Sequence, residues 1–428
     1  MKEKISKSEI TSTFTNAFKN NLLDADDSAA IFYDLTFLRQ RIEEVKNSFP
    51  KTALHAVAVK ACPLTNVLNH IKDLGIGLEA ASLPEVYFAQ KAGYERDKIV
   101  FDSPAKTKEE IEYAINLNAH INADSFAELE VIDLIIAGKK SSATFGLRIN
   151  PQVGTGKILI SSVAGDYSKF GVPIKEFKNE IIDAYLKYEW LTGIHLHVGS
   201  QGCPIELFVK GIETLYQLTN EINSLLAEKK RNRQINVFDI GGGLPVSYRK
   251  EEKSVSISGY AESIKEQFPL LFSNKYKLVT EFGRYYYANT AFAISRIDNI
   301  KHQKGIITIV SHLGADFLLR RAYLPEFYHH DISIMSAGGE IKSGNEEKCV
   351  IGGPLCFAGD VIAKEILLPK AEVGDYLVIH DVGAYTLSMW SRYNSRQMPK
   401  ILGYNNCGEK FVILKERETL EQVYNFWS

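Results

Sequence analysis

The feature that most restricts the fold is a repeated switch between two hydrophobic periods. Short apolar runs alternate with longer stretches of helical spacing, and eight such pairs lie between Ala53 and Arg284. The runs are "ALHAVAVK", "IGLEAAS", "KIVFDSP", "HINADS", "TFGLRIN", "LTGIHLHVGS", "INVFDIGGG" and "KLVTEFG". Between them lie stretches such as "LPEVYFAQKAG", "TKEEIEYAINL" and "SFAELEVIDLIIAGKK". A β-prone run followed by a segment that is apolar at every third or fourth position is a strand feeding a crossover helix. Crossover helices make neighbouring strands parallel. Eight units are the number that closes a (β/α)8 TIM-type barrel. An open doubly wound sheet is the alternative architecture.

The rest of the chain has a different rhythm. Residues 285–428 carry runs such as "FAISRIDNIK", "GIITIVSHL", "DYLVIHDV" and "EKFVILKE" between Gly-rich turns, which predicts a C-terminal antiparallel β domain. Residues 1–28 read as a polar leader, and "AAIFYDL" (residues 29–35) as a strand that joins the C-terminal domain. Residues 36–284 then form the barrel. With 50 Lys+Arg against 52 Asp+Glu, neither sign dominates, which argues against a nucleic-acid or membrane-surface partner. The five cysteines are scattered and lack CxxC spacing, so neither a disulfide framework nor a zinc site is expected. The opening stretch has no apolar core and no run is long enough to span a bilayer, so the expected location is the cytoplasm.

In such barrels the site is built from the C-terminal ends of the strands and the loops after them. Those ends supply Lys60, Ser82, Asp102, Asp124, Arg148 with Asn150, His197 with Ser200, Gly241 to Gly243, and Glu281 with Arg284. Strand interiors otherwise read as apolar, so polarity collects at one end. Each group also has a plainer reading. Lys60 can reach water along its own stem, and the triple glycine of "DIGGGLP" can be a tight turn rather than an anion cradle of exposed N–H groups. His195 and His197, two apart on a strand, point to one side and suit a metal hydrolase. The lysine, arginine and glycine loop do not complete a metal cage, and no metal is expected.

Taken together, an amine, an anion cradle, a flat imidazole and a carboxylate fit one cofactor. Pyridoxal 5'-phosphate has an aldehyde that a lysine holds as a Schiff base, a phosphate, and a ring whose nitrogen a carboxylate keeps protonated.

The ordered motifs resemble the fold type III pyridoxal-phosphate decarboxylases, the ornithine/diaminopimelate decarboxylase family, over roughly residues 29–404. "AVKAC" is similar to the family's Schiff-base strand, "HLHVGSQ" to its His-x-His-x-Gly-Ser element, "DIGGGLP" to its phosphate loop and "EFGR" to its Glu-Pro-Gly-Arg motif; "SKFG" at 168–171 is shared too. The resemblance implies Lys60 as the Schiff-base lysine, His197 over the ring, Ser200 and Gly241, Gly242 and Gly243 at the phosphate, and Glu281 at the ring nitrogen. Gly283, Arg284 and Tyr385 of "GAY" are expected beside the cofactor. "PLCFAGD" resembles the segment whose cysteine reaches the partner subunit's site, which makes Cys356 the proton donor to Cα in a homodimer with shared sites. The implied reaction is loss of the α-carboxylate from an external aldimine of an amino-acid substrate.

The far end of the substrate is less defined. "LLRRAYLPEFYHH" resembles the diaminopimelate enzymes' arginine segment, so Arg320 or Arg321, with Arg284 and either Tyr323 or Tyr328, is expected to take a distal carboxylate. Phe357 stands where diaminopimelate enzymes carry glutamate and ornithine enzymes aspartate. That departure keeps open a decarboxylase of an N-substituted diamino acid, of the carboxynorspermidine or siderophore-precursor kind. A catalytically silent regulatory paralogue is the alternative from another class; retention of Lys60, Glu281 and Cys356 speaks against it.

Overall fold

The computed structural model describes residues 2–24, 26–249, 252 and 256–428. The chain divides into two compact units, one centred on Arg41–Val246 with a return segment ending at Tyr285, the other dominated by Tyr286–Ser428.

In the first unit all eight expected runs are strands: β1 (Leu54–Ala58), β2 (Gly77–Ala80), β3 (Ile99–Phe101), β4 (His120–Ala123), β5 (Thr144–Asn150), β6 (Leu191–His195), β7 (Val237–Asp239) and β8 (Lys277–Thr280). Every neighbouring pair is parallel, and β8 pairs back to β1, so the sheet closes as a TIM-type barrel. A short ninth strand, Val172–Pro173, pairs only with the end of β5. Helices follow the strands because their apolar positions recur on one stripe. In Ile205–Glu228, for example, Phe208, Ile212, Leu215, Leu218, Ile222 and Leu226 are buried.

One expectation fails inside the barrel. The strand interiors are not otherwise apolar: Glu79, His120, Asn122, His195, Asp239 and Thr280 are all buried on them. Side chains alternate across a strand, so in a closed barrel every second one points into the lumen, where polar groups can satisfy one another. His120 and Asn122 meet at 3.1 Å, and Asn122 donates to Asp239 at 3.3 Å.

The second unit holds a six-stranded and a four-stranded sheet. Strand Ala29–Asp34 lies in the middle of the larger one, antiparallel to Ala291–Arg296 and parallel to Lys400–Asn405. Covered on both faces, all six of its residues are buried, which is why it reads as a continuous apolar run. That pairing, and the parallel pairing of Ile306–Val310 with Glu346–Gly352, qualify the antiparallel expectation; the remaining pairs are antiparallel. Nor is the N-terminal stretch only a polar leader. Ser6 and Glu9 form a reciprocal capping box that starts helix Lys7–Lys19, whose Ile10, Phe14 and Ala17 join the core around Phe32 and Phe292.

Candidate active site

Strand β1 stops at Ala58, one residue before the sequence pattern suggests. Val59–Ala61 form a single 3-10 turn, closed by the Cys62 N–H donating to the Val59 carbonyl at 3.0 Å. Lys60 therefore sits on a turn past the strand, and its Nζ lies 2.7 Å from both carboxylate oxygens of Glu79. The pairing of β1 with β2, which sets Ala58 opposite Glu79, makes this contact. Burial, opposed by Lys60 and reinforced by Glu281 and Asp102, pushes the Glu79 carboxyl up to about 8. Sequence reasoning missed Glu79, although an acid inside "GLEA" is itself a signal, because a carboxylate in a buried strand needs a cation.

Raising a carboxyl above its unfolded value gives a stability contribution that is full below about pH 4.5 and is lost as pH rises through about 8. Glu79→Gln is accordingly expected to flatten the decline of apoenzyme Tm between those pH values. A scanning-calorimetry series in which wild type and variant fall in parallel would contradict this.

The glycine loop follows β7. Gly241 and Gly243 have φ of +63° and +97°, and a Cβ on Gly242 or Gly243 would lie 2.0 Å from the Glu281 carbonyl oxygen or 1.8 Å from that of Gly199. Glycine is needed here because the loop threads against the ends of the flanking strands, and its Gly241 and Gly242 N–H groups donate to Asp239 Oδ1 at 2.9 Å and His197 Nδ1 at 3.3 Å. Gln201 clamps the loop by donating to the Val246 carbonyl and accepting from its N–H, at 2.7 and 3.1 Å. Ser200 begins the turn beside Gly199, its carbonyl accepting from the Cys203 N–H at 3.2 Å. Gly283 lies against Ala58 and Ala61, where a Cβ would come within 3.0 Å of both, and buried Arg284 opens the helix Arg284–Tyr287.

His197 Nδ1 accepts the Gly242 N–H at 3.3 Å, which requires a neutral ring. Burial, with Arg148 and Lys60, pushes it down to about 3. Ligand atoms of His195, His197 and Glu281 lie within 4.8 Å of one another, the proximity that made a metal worth considering. Here His197 Nδ1 is engaged by backbone instead. Beyond them, Arg148 donates to both oxygens of Asp102 at 3.4 and 3.2 Å; against the cost of burial, it holds that carboxyl well below the usual range.

The remaining predicted residues belong to the second unit and fall into three groups. Arg320 packs over two aromatic rings, 4.7 Å from the Tyr385 ring centre and 5.3 Å from that of Tyr328, and Tyr385 itself has φ +58°. Arg321 points elsewhere, donating to the backbone carbonyls of Ile362 and Tyr328 at 2.8 and 2.7 Å. Phe357 stacks on exposed Tyr323, with ring centres 6.1 Å apart, and meets Tyr393 edge-on at 5.9 Å. Exposed Cys356 is oriented through its backbone, by Asn394 at 2.7 Å and the Tyr393 hydroxyl at 3.2 Å. Asp360 ends the same motif and accepts the Ala315 and Leu355 N–H groups, both at 2.6 Å, so it builds the loop.

A half-exposed lysine paired with a fully buried carboxylate, at the same barrel end as a triple-glycine loop, defines a barrel enzyme that holds an anionic, aldehyde-bearing cofactor. Pyridoxal phosphate fits these residues: Lys60 has the amine, the glycine loop puts no side chain in the way of a phosphate, and among the described residues both Glu281 oxygens are buried without a hydrogen-bond partner, as suits a carboxylate meant for a protonated ring nitrogen. Residues 35–288 match the model for "Pyridoxal-dependent decarboxylase, pyridoxal binding domain", and residues 212–383 match that for "Pyridoxal-dependent decarboxylase, C-terminal sheet domain". The chain belongs to this pyridoxal-dependent decarboxylase family and is a pyridoxal-phosphate-dependent amino-acid decarboxylase. It is 31% identical over 402 residues to a diaminopimelate decarboxylase of Helicobacter pylori, covering 92% of this chain and 93% of the relative. To that of Aquifex aeolicus it is 29% identical over 393 residues, covering 91% and 89%. The crystal structure of the Helicobacter pylori enzyme complexed with L-lysine superposes with a TM-score of 0.82 at 28% identity, covering 96% of this chain and 99% of that one. Among the described residues no helix is long and apolar enough to cross a membrane.

Proposed function

We propose that the chain decarboxylates an amino acid whose far end carries a second carboxylate, with meso-diaminopimelate as the first substrate to test. The observation that carries this reading is Arg320. Its guanidinium carbon lies over the rings of Tyr328 and Tyr385, contacts that restrain a side chain suited to bidentate recognition of a carboxylate. Arg321 donates to backbone carbonyls, and Tyr328 rather than Tyr323 lies beside Arg320.

When bound, pyridoxal phosphate supplies the aldehyde that links it to an amine and a ring that takes up the electron pair left by departing CO2. Lys60 would hold that aldehyde, and Glu79, 2.7 Å from its Nζ, would accept hydrogen bonds from the lysine ammonium whenever the amine is unlinked. The glycine loop, Ser200 and Gly283 would seat the phosphate side, with Arg284 beside the cofactor. His197, a neutral imidazole, would pack against the cofactor's ring, and Glu281 would keep the ring nitrogen protonated. Cys356 returns a proton to Cα. We further propose a homodimer in which Cys356 and Phe357 serve the partner's barrel. Five free cysteines support residence in the reducing cytoplasm.

CO2 release from meso-diaminopimelate, lysine, ornithine, arginine and carboxynorspermidine tests the substrate. Diaminopimelate is expected to give the highest kcat/KM. Arg320→Leu is expected to raise its KM at least about tenfold, as loss of a charged hydrogen bond of roughly 1.5–3 kcal/mol implies, whereas Arg321→Leu leaves it within about threefold. Lysine turned over as well as diaminopimelate would sink the reading. One observation favours an N-substituted diamino acid instead. Tyr323, Phe357 and Tyr393 line a cavity of about 360 Å³ with Ala315, Leu319, Leu355 and Ser391, and none of these can pair with a free ammonium as an acid would. Faster turnover of carboxynorspermidine would select that alternative.

A further inference from the structure

His195 is fully buried in the barrel, and the chemistry above makes no use of it. Its Nε2 lies 3.4 Å from Glu281 Oε2 and its Nδ1 3.7 Å from Asp102 Oδ1, which is ion-pair distance without an aligned hydrogen bond. The charged and titratable groups acting on it or on its two partners are Asp102 after β3, Arg148 on β5, Asp239 on β7, Glu281 after β8, His120 on β4, Glu79 on β2, and Lys60, Lys106 and His197. Arg148 already serves Asp102. Asp239 is tied down by the Gly241 N–H at 2.9 Å and by Asn122. Among the described residues, the ion-pair contacts of Glu281 within 4.0 Å come from His195 and from His197, and His197 accepts a backbone N–H and is neutral. An ionised carboxylate in a water-poor interior costs several kcal/mol unless a cation offsets it. His195 is the group placed to do so.

We propose that His195 is a positioning residue, carried as an imidazolium that bridges Asp102 and Glu281 and keeps Glu281 ionised and aimed at the cofactor's ring nitrogen. This rests on the reading of Glu281 given above. Burial disfavours charge on the ring, but Asp102, Glu281 and Asp239 outweigh it and lift the imidazole to about 9. In turn, against its own burial, Glu281 is drawn below its ordinary value by His195. Two histidines two positions apart, His195 ending β6 and His197 just past it, thus sit in opposite states, because one is ringed by carboxylates and the other faces Arg148 and Lys60.

His195→Gln removes the charge at similar size. The expected result is a kcat reduced about 10- to 100-fold, the range for a residue that orients a functional group through one contact, with KM changed less than about twofold. The dissociation constant for pyridoxal phosphate, from tryptophan-fluorescence titration of the apoenzyme, is expected to rise about tenfold. His195→Gln and Glu281→Gln should shift the holoenzyme's absorbance in the same sense, and the double variant should lose no more than Glu281→Gln alone. Additive losses, or a His195→Gln enzyme with wild-type spectrum and cofactor affinity, would overturn the proposal. A Glu281→Gln enzyme with unchanged cofactor affinity and spectrum would instead sink the reading of Glu281. If His195→Gln does not fold, 15N shifts of His195 in the histidine-labelled wild-type holoenzyme decide: two protonated ring nitrogens at pH 7.5 support the imidazolium, and a neutral ring refutes it.

Discussion

Lys60→Ala is expected to abolish the absorbance band of lysine-linked pyridoxal and to lower decarboxylation by roughly 10³-fold or more, within the range for a group that transfers protons at the reacting centre. The fold is expected to survive. Removing Lys60 leaves Glu79 fully buried without its 2.7 Å partner, but that carboxyl already titrates near 8 and takes a proton instead of remaining a bare anion. Loss of the band with a Tm within a few degrees of wild type is the signature. A variant that keeps the band would show that another amine holds the cofactor. A variant that loses its structure would show that the pair is needed for folding.

Gly243→Ala is expected to have the second-largest effect, and it acts on fold and cofactor together. The added Cβ would lie 1.8 Å from a backbone oxygen that has no freedom to swing away, at a φ of +97°. Overpacking of about 1–3 kcal/mol and left-handed strain of about 1–2 kcal/mol combine to about 3 kcal/mol. At roughly 2–4 °C per kcal/mol this lowers Tm by about 10 °C. Gly138→Ala is the control. It shares the left-handed φ, at +70°, but a Cβ there meets nothing within 4 Å, so only the strain should appear. Calorimetry and cofactor titration check both, and a Gly243→Ala protein matching the control would show that the loop yields.

The barrel was legible because each of its strands announces itself twice, by a β-prone run and by the helical period that follows. The strand ends were legible for the same reason. Lys60, His197, Glu281 and the triple glycine all stand where a run stops. Glu79 was not read, because a four-residue strand shows its alternation too briefly to tell a lumen position from an ordinary core one. Only the β1–β2 register, which sets Ala58 across from Glu79, brings the acid to the lysine two residues further on. Arg320 and Arg321 could not be separated by sequence, since neighbours on a helical turn point about 100° apart and no pattern says which faces the tyrosine rings. In the second unit the strands mix parallel and antiparallel neighbours far apart in the chain, an order that local periodicity cannot express.

From the sequence alone come the reactive groups, their order along the chain, and the parallel barrel that must gather them at one end, because hydrophobic period and turn residues are local properties. Tertiary structure decides which charges meet. His195 and His197 are nearly identical to a reader of the sequence, yet carboxylates surround one and cations face the other. Their protonation depends on groups brought from β3, β5, β7 and β8, and electrostatic environment is a property of space rather than of chain position.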